Sequence, residues 1–217
     1  MKRLLDVPVV LQPIDSVECG IASSKMIGDY YGLRRPYEEI KREMPVKEDW
    51  GLYIFEMGGY FLKHGFQAEI VSMNTNFLTL EHKGASTNEI REHVETLKKK
   101  KDYATLKEGL DTLTDFIDQG GKFTARIPTP HMIRQEINRK RPVLTTLTSR
   151  VLNKNLPWPN EHCAVIIGYD DHDFYLNDPE PRRGGMTQQF RQSDVMYAIY
   201  ANTYPSVEGG SILKLKL

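Results

Sequence analysis

The stretch "EHCAVIIGYDDHDFYLNDP", residues 161–179, decides the fold. Two runs rich in β-branched and aromatic residues flank the polar segment "GYDDHDF", and that order predicts an antiparallel hairpin. Within the first run, His162, Ala164 and Ile166 share one face and Cys163, Val165 and Ile167 the other. Working outward, "KFTARI" and "RPVLTTLTS" read as strands on either side of a helix, "TPHMIRQEINRK". A short helix near "SDVMYAIY" and a final strand "SILKLKL" complete the second half. Helices crowd the front of the chain and paired strands the back, which argues α+β rather than alternating βαβ units.

The front half begins with "LDVPVVLQ", read as a short strand with Pro8 at an edge or a strand start. From Cys19 to Tyr31, apolar residues at 21, 22, 26, 27, 30 and 31 have helical spacing, and Gly32 fits as the stop. Pro36 is expected at the first position of a second helix, "PYEEIKREM". A third, "GLYIFEMGGYFLKHG", is expected to be loosened by Gly58 and Gly59, and "FQAEIVSM" follows as a strand.

From Asn74 to about Gly121 the composition turns polar. Two solvated helices are expected there, one with a stripe at Ile90, Val94 and Leu97, the other at Leu106, Leu110, Leu113 and Ile117. The expectation is a single domain over 1–217 with a helical insertion at 74–121. "LKKKKDY" reads as a wet helix end.

The chain has 217 residues with 29 basic and 29 acidic side chains, so no global field draws it to nucleic acid or an anionic membrane. No apolar run approaches the ~18–20 residues that a membrane-spanning helix needs. Asp6 and Pro8 interrupt "MKRLLDVPVVLQ" before a signal-type run develops. Two cysteines make no disulfide framework, so the expected location is the reducing cytoplasm.

Four residues carry chemistry when taken together. Cys19 opens a helix, where unpaired N–H groups and the macrodipole stabilise a thiolate, although a small buried core cysteine is the other reading. His162, at the start of a strand, has the residue type of a general base or of a capping histidine. Asp178 comes out roughly opposite His162 if the hairpin register holds; Asn177 is the neighbouring alternative, and "NDP" is also a common turn composition. Gln12 offers a carboxamide to a developing oxyanion, a contribution worth several kcal/mol in acyl transfer. "DDHD" at 170–173 has metal-ligand residue types but reads as a solvated turn.

These blocks, Gln12 followed by "ECGIAS", then "HCAVIIGYD", then "YLNDP", resemble the papain-like peptidases related to the bacteriocin-processing, double-glycine-leader family. "IPTPHMIRQEINRKRPVLTTL" resembles that family's approach to its histidine. The resemblance implies a papain-like cysteine proteinase fold, with the nucleophile at a helix N-terminus packed on an antiparallel sheet. It implies Cys19 as nucleophile, His162 as base and acid, Asp178 as orienting carboxylate and Gln12 as oxyanion donor. A peptide or protein substrate follows, with no cofactor and no metal.

The segment 74–121 is longer than a compact member needs and reads as a lid or platform. Gly-Gly pairs at Gly120, Gly184 and Gly209 match the family's cleavage preference, yet loop glycines explain them more cheaply. An acyltransferase on the same scaffold, and a non-catalytic peptide-binding protein, stand as alternatives to hydrolysis.

Overall fold

Helix α1 (Cys19–Tyr30) packs across strand β5 (Glu161–Tyr169), and the remaining elements are arranged around that crossing. The computed structural model describes residues 2–47, 51–152, 161–183, 187–202 and 206–217. Among these residues one sheet contains β1 (Arg3–Leu4), β2 (Gln67–Ser72), β3 (Lys122–Ala125), β4 (Val143–Thr148), β5, β6 (Asp173–Asn177), β7 (Thr187–Arg191) and β8 (Ser211–Lys216). The order across it is β3-β2-β8-β4-β5-β6-β7, and β1 pairs with β5. The predicted hairpin is present as β5 and β6, closed by an Asp170 N–H to Asp173 carbonyl bond of 2.9 Å.

Neighbouring strands run antiparallel except β2 and β3, which are parallel. A parallel pair requires a crossover connection. The polar segment supplies it through α4 (Thr87–Lys98) and α5 (Lys107–Asp118). Ile90, Val94, Leu97, Leu110, Leu113 and Ile117 are all buried, in the same cluster as α1 and α3 (Ile54–Lys63). Their outer faces carry ion pairs such as Arg91–Asp118 at 2.6 Å and Lys98–Asp111 at 2.7 Å.

Helices cover both faces of the sheet. α1, α3, α4 and α5 bury one face with Cys163, Val165 and Ile167 of β5. On the other face, α6 (Pro130–Asn138) and α8 (Gln192–Ala201) pack over Ala164 and Ile166. α2 (Tyr37–Glu43) packs beside α1, and the single-turn α7 (Ser149–Leu152) follows β4.

Several local expectations change. The strand expected over 5–12 shrinks to Arg3–Leu4, prolonged by the Leu5 N–H to Ile167 carbonyl bond of 2.9 Å. Pro8 has no N–H to donate, and the chain turns to the end of β6 instead. There Asn177 Nδ2 donates to the Val7 carbonyl at 2.8 Å, and the Gln12 N–H to the Pro179 carbonyl at 2.9 Å.

Pro36 is the N-cap of α2 rather than its first residue. Gly58 does not loosen α3: a Cβ there would come within 2.6 Å of the Phe116 ring, so glycine is what allows α5 to approach. β7, "TQQFR", carries no apolar alternation because it is an edge strand with mostly solvated side chains.

Asp170 Oδ1 accepts the N–H groups of His172 and Asp173, and Oδ2 the Tyr175 hydroxyl, so its carboxylate holds the hairpin turn. Gly120 closes α5 at φ +93°, while Gly209 and Gly210 are buried at the entry to β8. Gly184 lies outside the described residues.

Candidate active site

Cys19 is the first residue of α1, and no side chain among the described residues caps that helix end. The N-cap, Glu18, makes no side-chain cap, and the first turn carries no acidic residue. The unpaired N–H groups and the positive end of the dipole are therefore left to the thiol. Cys19 is partly exposed. Gly20, next to it, lets α1 approach α3: a Cβ there would lie 3.1 Å from Met57 Sδ and 3.2 Å from Leu52 Cβ.

β6 pairs with β5 only as far as Asn177 opposite Val165, so the start of β5 is without a partner on that side. His162 occupies this free end. Its Nε2 donates to Asp178 Oδ1 at 2.7 Å, and the two side chains are 8% and 4% exposed. Asp178 Oδ1 also accepts the Glu180 N–H at 2.9 Å, which fixes the carboxylate. With Nε2 engaged, Nδ1 is the ring nitrogen left to meet the Cys19 sulfur.

Asn177, the neighbouring alternative, has its side chain engaged elsewhere. That side chain is fully buried, donates to Val7 and accepts the Thr187 hydroxyl at 2.7 Å, which is a structural role.

Burial alone would push the His162 imidazolium down. The charge and hydrogen bond of Asp178, together with the Cys19 sulfur, more than reverse this and raise it to about 10. The Cys19 thiol moves the opposite way, well below its ordinary value. The Cys163 thiol and N–H and the His162 ring, all set against its sulfur, outweigh desolvation. Opposed shifts of this kind favour a thiolate beside an imidazolium.

Gln12 is joined to the same region. Its N–H bonds to the residue after Asp178, and its side chain is 6% exposed. Nε2 donates to the Ser16 carbonyl at 2.8 Å, in the loop leading to Cys19, while Oε1 is buried with no partner among the described residues. Gln12 is thus held between the loop after Asp178 and the loop before Cys19, and its side-chain bond goes to Ser16.

Two further carboxyls at this end went unread in the sequence, and Cys163 was read only for the face it takes. Cys163 is buried, as expected for core, yet its thiol is also the neighbour of Cys19. Glu161 shares its face of β5, and desolvation with the nearby Cys19 charge pushes its carboxyl up to about 7. Glu208 caps α3 by accepting the Ile54 N–H at 2.6 Å, and burial with the Glu161 charge raises it well above the carboxylate range. Strand alternation pairs Glu161 with Cys163; no local signal marks Glu208. Among the described residues no group of His, Cys, Asp or Glu is arranged to hold a metal ion.

The same architecture recurs in solved structures. A C39-like peptidase from Bacillus anthracis superposes with TM-score 0.58 at 15% identity, covering 100% of this chain and 98% of that one. A double glycine motif protease from an AMS/PCAT transporter, solved with its leader peptide, gives TM-score 0.50 at 16% identity over 99% of this chain and 94% of its own. The peptidase domain of Streptococcus ComA, a bifunctional ABC transporter involved in quorum sensing, gives 0.50 at 13%, covering 96% and 97%. No curated protein is similar in sequence. Identities this low carry the fold alone, a papain-like α+β peptidase architecture. The assignment of family comes from the sequence itself, which matches the Peptidase_C39 like family over residues 4–208, and to that family the chain belongs.

Proposed function

We propose that the protein is a cysteine peptidase in which Cys19 attacks a peptide carbonyl, within one domain whose crossover helices 74–121 brace the site. The observation that carries this reading is the buried 2.7 Å His162–Asp178 bond beside the first residue of α1. Cys19 reacts as the thiolate, and His162 delivers its proton to the leaving amine. Asp178 keeps the imidazole in the tautomer with its proton on Nε2 and stabilises the imidazolium.

The oxyanion develops against the Cys19 N–H and the second N–H of Gln12 Nε2, the first being used by Ser16. Water then releases the acyl group. A peptide substrate is also favoured by the relative solved with its leader peptide.

We place the reaction in the cytoplasm, where both thiols stay reduced. Among the described residues no helix is long and apolar enough to cross a membrane.

The test is a peptide library incubated with the intact chain and with Cys19→Ala, with products read by mass spectrometry. New termini made by the first and not the second support hydrolysis. Products carrying an added amine in place of water would assign acyl transfer. A Cys19 thiol that alkylates no faster than free cysteine near neutral pH would remove the activated nucleophile, and the proposal with it.

A further inference from the structure

The chain's two cysteines are far apart in sequence, yet α1, which begins with Cys19, packs across β5, which carries Cys163, and the two thiols are each other's side-chain partners. Cys163 is the third residue of β5, on the face that α1 covers, and is 3% exposed. Cys19, the first residue of α1, packs against the cluster that contains it and is only partly buried. Of the two residues, Cys19 is therefore the more accessible to an oxidant in solution. Behind Cys19 stands the one other thiol the chain possesses.

We propose that Cys163 is a resolving thiol: a hydroperoxide that oxidises Cys19 is answered by an intramolecular Cys19–Cys163 disulfide, which dithiols reverse. In the first step the Cys19 thiolate attacks the outer oxygen of the hydroperoxide. The O–O bond breaks, Cys19 becomes a sulfenic acid, and the alcohol, or water from hydrogen peroxide, leaves with a proton from His162. In the second, the Cys163 sulfur attacks the Cys19 sulfur, the S–O bond breaks, and the departing hydroxide takes the Cys163 proton as water. Two thiols supply the two electrons that reduce one peroxide bond.

The setting suits both steps. The depressed Cys19 thiol supplies the nucleophile, and Cys163, pushed up first by its hydrogen bond to that sulfur and then by burial, keeps its proton until it attacks. Cys19 uses no interior helical N–H, so its side chain can turn toward Cys163 without breaking a helix bond. A sulfenic acid with no thiol behind it proceeds to sulfinic acid, which dithiols do not reverse. The inference goes beyond peptide cleavage, since it needs the two thiols and not turnover.

The experiment treats the reduced full chain with equimolar hydrogen peroxide at neutral pH. Intact mass, thiol titration and non-reducing peptide mapping are the readouts. The expected result is loss of both titratable thiols, a mass lower by two hydrogens, and one linked peptide pair containing Cys19 and Cys163. Dithiothreitol then restores alkylation of Cys19. In Cys163→Ser and Cys163→Ala the same treatment gives a dimedone-trappable Cys19, and then irreversible loss at least ~10-fold faster than in the parent chain.

The proposal is overturned if the parent chain gains oxygen without a linked pair, if Cys19 joins Cys19 of a second molecule, or if Cys163 variants lose Cys19 no faster. Should both variants fail to fold, the linked peptide in the parent chain decides alone. Because every readout is a mass or a thiol count, the result is independent of whether any peptide is cleaved.

Discussion

Two charged clusters lie on different elements around one sheet, and they are built on opposite terms. In the first, Glu69 of β2 lies between Lys122 of β3 and Lys214 of β8, its cross-strand neighbours. Its carboxylate takes Lys214 at 2.8 Å, Lys122 at 3.1 Å and the Thr124 hydroxyl at 2.7 Å. Nearby Glu136 takes Arg139 at 2.9 Å and Arg141 at 3.5 Å. Burial alone would raise Glu69, but these partners lower it to about 2. The cluster rims a cavity of about 470 Å³ that includes none of Gln12, Cys19, His162 or Asp178.

Around Cys19 the pattern reverses. Among the described residues α1 has no side-chain cap and Gln12 Oε1 no partner, and Glu161 and Glu208 are pushed up rather than down. One cluster neutralises its carboxylates with cations and holds strands together; the other buries carboxyls without a cation to lower them. Perturbed groups gathered beside a partly exposed thiol are what catalysis needs, and a settled ion network is not.

The sharpest way to break this contrast is to remove the thiol. Cys19→Ala should abolish peptide hydrolysis, a loss of at least ~10³-fold in kcat/KM, with the denaturation midpoint nearly unchanged. Residual activity within tenfold of the parent would move the chemistry elsewhere.

Asp178→Asn comes next, with kcat expected to fall by roughly 10²-fold while KM changes little. Asp178 holds the His162 imidazolium up, so the alkaline limb of the pH–rate profile should shift to lower pH in the variant. His162 also contributes stability, complete below the ordinary histidine value of 6.5 and lost as pH rises through about 10. In the variant that loss should be smaller and complete at lower pH.

The third prediction concerns the backbone beneath the site. Gly51 has φ +84°, and a Cβ there would lie 2.9 Å from the Val17 carbonyl, two residues before Cys19. Gly51→Ala combines left-handed strain with a backbone clash, so a loss of about 2 kcal/mol is expected in denaturant titration. Activity should fall with it, because the loop that must move carries the helix start.

Much of this organisation was legible in the sequence, and the exceptions have physical reasons. Strand alternation separated the faces of β5 because one side meets α1 and the other α6 and α8. The hairpin turn was visible because Asp170 and its neighbours are turn chemistry. The link between Gln12 and Pro179 was not visible, since a backbone bond between two loops leaves no residue pattern. β7 was missed for lack of an apolar face. Cys163 was read as core because alternation says which face a residue takes, not what that face meets. The parallel pairing of β2 with β3 was hidden in a polar connection whose topology depends on where the chain returns.

The smallest expected effects separate the two clusters most finely, through the sign of a slope. Glu69 is held below the ordinary carboxylate value of 4.5, so it stabilises the fold above that pH, and the contribution is lost as pH falls toward about 2. Glu69→Gln should therefore cost about 1 kcal/mol at neutral pH, and the two proteins should converge on acidification. Glu161 is raised from 4.5 to about 7, so the folded state holds its proton more tightly than the unfolded one, and stability declines as pH rises between those values. Glu161→Gln lacks that decline; it should match the parent near pH 5 and exceed it by about 1 kcal/mol near pH 8. Removing the carboxylate also removes a negative charge beside Cys19, so the acid limb of Cys19 alkylation should move to lower pH. Slopes of the same sign in the two variants, measured by denaturant titration across pH, would erase the distinction between a cluster that binds strands and one that is poised against a thiolate.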